Sequence, residues 1–444
     1  MSVSSYLSDM SQGRPRCLWV VLLISLAWVV GSLHGEETSE PRVLSKWSDL
    51  KGVEGFEDLE GIDDPSMLDD IENFEDLEQF RGLPGFEDLD GDDPTTDLNL
   101  ELPTWDFVTT LAGSLGYRDN ILLRPVDGES SGFWRTDLES MLWRYPDGNT
   151  EFVAMIGFTD VRYFSAEETD GEQTAFFHAA WDWNTTPWST LSLPAQVLYQ
   201  DQVLDFSATE AETAIGQVQV FSFSINPEWS VAAGESLEVG VAGLYRTDHF
   251  RAGPDDFQDV GGHLRAVYKL GLWADLDLRY MVFRRDYATR IQYNEFGKPL
   301  PDTKLKADQR QVEGRFNLKF DPESDWSVKA KVGYLEYRDN GSGYFDYDRS
   351  RLGLELTWTP GPWRFMISGS RIHYDYLLQT IFNEDTVQIE PRAKDDFYGQ
   401  FRIERDLSES LGWHFDCEAE RSATNDFYGT YNAVGLYTGV GWTF

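Results

Sequence analysis

From Trp105 to the C-terminus, apolar and polar residues alternate over segments of about 10–16 residues, one segment after another. A period of two gives each strand one apolar and one polar face. A chain made almost wholly of such strands must also pair or cover every edge. In Glu313-Gly314-Arg315-Phe316-Asn317-Leu318-Lys319-Phe320, the residues Phe316, Leu318 and Phe320 share one face, and Arg315, Asn317 and Lys319 the other. The stretches 351–358 and 413–420 repeat the pattern, and no helical period of comparable length competes with it. Sixteen such segments fit between 105 and 444.

The connections narrow the choice of fold. After every second strand the link is short and turn-like, as in Pro146-Asp147-Gly148-Asn149, Thr185-Thr186-Pro187, Asp321-Pro322-Glu323-Ser324, Pro360-Gly361 and Leu407-Ser408-Glu409. The alternate links are longer and polar, around 118–130, 205–212, 288–304 and 377–394. Short turns at one end and long loops at the other mark a transmembrane, antiparallel up-and-down β-barrel with an even strand number. A soluble sandwich has no reason for that asymmetry.

Thirteen of the 16 tryptophans lie in this region. Trp105, Trp183, Trp188, Trp229, Trp273, Trp326, Trp358, Trp363, Trp413 and Trp442 all fall beside short turns or chain ends, hence at one rim. The indole ring favours the headgroup zone, where its N–H stays wet. The other rim is expected to carry tyrosines followed by charge, as in Tyr117-Arg118-Asp119-Asn120, Tyr245-Arg246, Tyr337-Arg338-Asp339-Asn340 and Tyr374-Asp375. The last nine residues, Leu436 to Phe444, alternate and end in Phe, with Val440, Trp442 and Phe444 on one face. This ending resembles the terminal signature of Gram-negative outer-membrane β-barrel proteins. The resemblance implies recognition of the last strand by the barrel-assembly machinery and insertion among outer-membrane lipid. Gly116-Tyr117-Arg118-Asp119-Asn120 is similar to stretches in the β-barrel porin families.

Residues 1–35 read as a signal peptide: Arg14 and Arg16 precede an apolar run from 18 to 30, too short for the about 20 residues of a spanning helix. Residues 36–103 hold 23 acidic and four basic residues. They account for nearly half of the net charge of −40, and this segment is expected to be disordered and periplasmic. It repeats Phe-Glu-Asp-Leu at Phe56–Leu59, Phe74–Leu77 and Phe86–Leu89, spaced too irregularly for a solenoid. One reading is a solvated linker. The other has each Phe and Leu dock on a periplasmic protein partner, with three copies adding avidity. Such acidity excludes a nucleic-acid binder, and two cysteines exclude a disulfide scaffold.

With each strand's apolar set outward, the polar set lines the lumen. Strands eight to twelve then contribute a basic wall of Arg265, Lys269, Arg279, Arg315, Lys319, Lys329, Lys331 and Arg351, with Asp275, Asp277, Glu313 and Glu355 available for pairing. Strands two, fourteen and fifteen contribute an acidic wall of Asp137, Glu139, Glu404, Asp416, Glu418 and Glu420, with Arg135 and Arg402 among them. The strand near 215–225 breaks the pattern by one residue. Opposed walls would set a transverse field across an aqueous pore, since about 16 strands leave room for water. Cross-strand ion pairing that only stiffens the lumen is the competing reading. For an enzyme, His414 with Asp416 and His373 with Asp375 are the candidate pairs; His414 lies toward the Trp-lined rim, away from surface substrate, His373 lies on the loop side, and a solvated interior histidine is the preferred reading of both. No zinc spacing or phosphate-cradling loop is present, and no catalytic residue, metal or cofactor is expected. The function expected is a porin-like channel for passive diffusion of small hydrophilic solutes. A non-conducting scaffold or export-barrel component, recruited through the acidic repeats, is the alternative.

Overall fold

The computed structural model describes residues 105–444 apart from 127, 148, 212–213, 253–254, 272, 320–324 and 384–387. The signal, the acidic segment with Phe56, Leu59, Phe74, Leu77, Phe86 and Leu89, and the turn at 321–324 lie outside the described residues. The strands are β1 (Trp105–Arg118), β2 (Ser131–Asp147), β3 (Thr150–Tyr163), β4 (Gly171–Thr186), β5 (Ser189–Asp205), β6 (Ile215–Ile225), β7 (Glu228–Ala232), β8 (Leu237–Ala252), β9 (Phe257–Lys269), β10 (Ala274–Tyr287), β11 (Lys306–Lys319), β12 (Trp326–Asp339), β13 (Tyr347–Trp358), β14 (Trp363–Asn383), β15 (Gln388–Asp406), β16 (Leu411–Thr424) and β17 (Tyr431–Thr443).

All neighbours in the sheet are antiparallel, and β1 pairs with both β2 and β17, from Thr110↔Thr443 to Arg118↔Gly435. The sheet therefore closes on itself and has no free edge. β6 and β7 occupy one position, because both pair with β5 on one side and β8 on the other. Pro227, which lacks an N–H, interrupts the ladder between them. Seventeen segments thus make a closed barrel of sixteen staves.

Side-chain direction follows the pleat. Along β10, Asp277, Arg279, Met281, Phe283, Arg285 and Tyr287 are buried inside, while Leu278, Tyr280 and Val282 are exposed on the outer wall. Leu111, Ile156, Val241, Leu264, Val312, Leu352, Leu354, Ile367 and Val440 extend that exposed apolar belt around the barrel. At the short-turn rim, Trp326 stacks on Trp358 (5.1 Å between centroids) and Trp358 on Phe365 (5.2 Å). Trp105 meets Phe152 edge-on, and the Arg405 guanidinium lies over the Trp363 ring, 4.8 Å from its centre.

Two expectations need correction. The long loop expected over 377–394 is largely strand, since β14 runs on to Asn383 and β15 starts at Gln388, across a register shift between Asp375 and Thr380. Its polar residues read as loop because the partners that bury Gln379 and Arg392 are distant in sequence. The tyrosine rim is also only half as expected. Tyr117 and Tyr245 face outward, whereas Tyr337 and Tyr374 point inward and are almost inaccessible, at 2% and 1% exposure. Strand parity, which the Tyr-plus-charge pattern does not encode, decides between the two.

Candidate functional site

The lumen is the candidate site, and its wall is charged along much of its length. Arg265 lies 3.1 Å from Asp277 and 3.5 Å from Glu228, and Arg279 lies 3.3 Å from Asp277. On β11, Arg315 bonds Glu313 (2.8 Å), which Lys331 approaches to 3.8 Å from β12. Lys329 reaches Glu355 at 3.7 Å. Arg351 shares the inner face of β13 with Arg349 and Glu355, and Lys269 and Lys319 end β9 and β11 at the short-turn rim.

Across the barrel, Asp137 accepts from Arg135 (2.9 Å) and Thr159 (2.8 Å), with Glu139 next on the same face. Arg402 bonds Glu404 (2.8 Å) and lies 3.4 Å from Asp416, and Arg364 approaches Glu404 to 3.7 Å. Glu418 accepts from the Tyr437 hydroxyl at 2.7 Å, and Glu420 from that of Tyr431 at 2.5 Å. The charges on both sides are thus interleaved with opposite partners, two residues along a strand or one strand over, rather than sorted into walls of one sign. Burying such charges is costly, and opposite-charge partners at these distances reduce that cost.

The long-loop end is arranged differently. Residues 206–211, between β5 and β6, turn into the barrel as a strap, leaving Ser207 and Ala208 only 1% and 3% exposed. The opposite wall holds it by polar contacts. Tyr376 donates its hydroxyl to the Ala208 carbonyl (3.0 Å), Arg392 donates to the Glu210 carbonyl (3.0 Å), and Arg290 bonds the Thr209 carbonyl and lies 2.9 Å from the Glu210 carboxylate. At the root of the strap, Lys394 is buried between Asp205 (3.0 Å) and Asp396 (2.9 Å). Burial pushes the Glu210 carboxyl above the usual carboxylate range; Asp255 adds to the rise, and Arg290 and Arg392 oppose it.

Against the strap packs a cluster of inward aromatics. Tyr287 and Tyr337 join hydroxyls at 3.0 Å, Tyr337 stacks on Tyr347 at 4.8 Å, and Tyr374, Tyr376, Phe345, Leu305 and Leu335 complete the cluster. Arg285 pairs with Asp259 (2.8 Å) and lies 3.8 Å from the centroid of Phe257. On the other side of the strap, Val218 and Val220 of β6 point inward against Leu204. This inversion is the irregularity near 215–225, and it was the one sequence signal of a hairpin whose inner face is covered.

The histidines separate. His373 faces outward between Asp375 and Asp395, each at 3.1 Å. His414 faces the lumen with Nε2 2.9 Å from Ser114 Oγ, a pair 300 residues apart that spacing could not reveal. Among the described residues, no group of three or more His, Cys, Asp or Glu is placed to hold a metal ion.

No protein-family profile matches the chain, and no curated protein sequence does. Among solved structures the barrel is similar to Acinetobacter baumannii OccAB3, at 12% identity and a TM-score of 0.42, covering 77% of this chain and 99% of that one. It is also similar to Pseudomonas aeruginosa OpdQ (9% identity, TM-score 0.41, 77% and 97% covered). A third is OmpT, an outer membrane protein of Vibrio cholerae (9%, 0.39, 78% and 99%). The fold assignment rests on the chain's own closed strand register and outward apolar belt.

Proposed function

We propose that the protein is a porin-like channel of the outer membrane through which small hydrophilic solutes diffuse passively, narrowed at its long-loop end by the strap. The observation that carries this reading is the contrast between the two faces of the same strands: an apolar belt outside and charged residues inside. Inner charges suit a water path, because water solvates what their ion pairs leave over, and a ring of charge along a wide barrel tunes what passes. The short turns would face the periplasm and the long loops the exterior.

The test is conductance of the purified protein in planar bilayers. Small discrete steps are expected, and deletion of 206–211 should enlarge them. Charge reversal at Lys329 and Lys331 should shift selectivity toward cations. If neither the intact nor the strap-deleted protein conducts at any voltage, the channel reading is wrong.

A further inference from the structure

The stretch Gly116-Tyr117-Arg118-Asp119-Asn120 leads into a loop that shapes a cavity at the long-loop end of the barrel. Asn120 is buried, and its Nδ2 donates to the Arg124 carbonyl (2.8 Å) and to the Asn432 carbonyl (2.9 Å). Its Oδ1 accepts from the Arg124 N–H at 3.0 Å. These bonds close residues 121–123 into a tight turn in which Leu123 takes φ = +53°, a region that residues with a side chain seldom occupy. The turn presses Leu123 against Val203, Tyr431 and Ala433, with Leu122 and Ile215 alongside.

Above these side chains lies a cavity of about 340 Å³, at the small end of the range for ligand sites. Its floor is aliphatic: Leu122, Leu123, Val203 and Ile215. One wall is Tyr428, whose side chain stands out at 71% exposure. Its rim is polar, carrying the ion-paired Arg124 and Glu168 together with Thr169 and Gln217.

We propose that this cavity binds a neutral pyranose sugar at the mouth of the barrel. A pyranose has an apolar C–H face, which suits an aliphatic floor and a tyrosine ring. It is ringed by hydroxyls that both donate and accept, which suits a guanidinium, a carboxylate, an amide and a hydroxyl placed together. The rim groups already have protein partners, Arg124 with Glu168 and Gln217 with Asp201 (2.7 Å), and each keeps further donor or acceptor positions that a hydroxyl can use and a wholly apolar ligand cannot. An anion would meet Glu168, with Glu129 and Glu167 bonded close by.

The inference rests on the channel reading only for its purpose, since binding is measured without transport. Calorimetric titration and saturation-transfer NMR of the full chain in detergent, with glucose, maltose and cellobiose, should show saturable binding of at least one. Tyr428→Ala and Gln217→Ala should each weaken it by about 3- to 10-fold, while the outward Tyr117→Ala leaves it unchanged. Both substitutions lie in exposed loop or rim positions, and heat-shifted gel mobility reports whether each barrel is intact. The proposal is overturned if none of the three sugars binds, if intact Tyr428→Ala and Gln217→Ala variants bind as well as the parent, or if benzoate binds at Tyr428 and the sugars do not. Sugar binding by a protein that does not conduct would refute the channel and leave this site standing.

Discussion

At the scale of single residues, the face a side chain occupies outweighs its identity. Tyr117-Arg118-Asp119-Asn120 and Tyr337-Arg338-Asp339-Asn340 are the same four letters, yet they are placed oppositely. Tyr117 points outward while Arg118 points inward to Glu172 (3.7 Å) and Glu420 (3.5 Å). Tyr337 points inward to Tyr287 while Arg338 bonds Asp348 on the outer side. The same logic sets the cost of a substitution. Leu278→Lys places an ammonium in the outward apolar belt and should destabilise the barrel by about 2–4 kcal/mol if it lies near the bilayer midplane. Gln311→Lys points inward beside Glu313 and should cost less, its charge finding a partner. Equilibrium folding into lipid vesicles over a urea series measures both. Equal costs would mean that the assigned faces are wrong.

Among the elements, the strap behaves as a separable piece, joined to the far wall by polar contacts instead of strand pairing. Its Glu210 carboxyl is the group to watch, faced by Arg290, Arg392 and Asp255. Burial raises its pKa in the docked strap, so the docked form holds the proton more tightly than a strap released into water. Docking is therefore strongest below the ordinary carboxylate pKa and weakens as pH rises through the raised value. Acidification across that window should lower the open fraction of single channels, and Glu210→Gln should flatten the response. An open fraction that rises on acidification, or one that Glu210→Gln does not change, would contradict this. The strap was legible only in part. Alternation marked β5 and β6, and the inward Val218 and Val220 marked something unusual. The residues that hold it, Arg290, Tyr376, Arg392 and Lys394, come from strands and loops far along the chain.

For the whole molecule, closure is the decisive event, and it falls on the pairing of β1 with β17. Gly439 faces Ser114 across that seam, and a Cβ there would sit inside contact distance of Ser114 Oγ and the Gly113 carbonyl. Gly439→Val should leave the strands intact in sequence but unable to zip, giving a protein that loses its heat-shifted gel mobility and inserts poorly into vesicles. Normal mobility in that variant would mean that the seam lies elsewhere. Here the C-terminal strand, with Val440 and Trp442 exposed on its outer face, serves as part of the belt and as the closing edge together.

By itself the sequence determined the architecture: strands from a period of two, a barrel from turn asymmetry, and the outer belt from where the apolar residues fall. These are local properties, written within one strand or one turn, so they can be read in order. Only the tertiary structure decided what fills the inside. Which charge meets which depends on the register between neighbouring strands, and that 206–211 fold inward against Arg290, Tyr376 and Arg392 depends on residues about 80 to 180 positions apart meeting across a closed ring. Closure brings them together, and no pattern along the chain records which strand will stand opposite which.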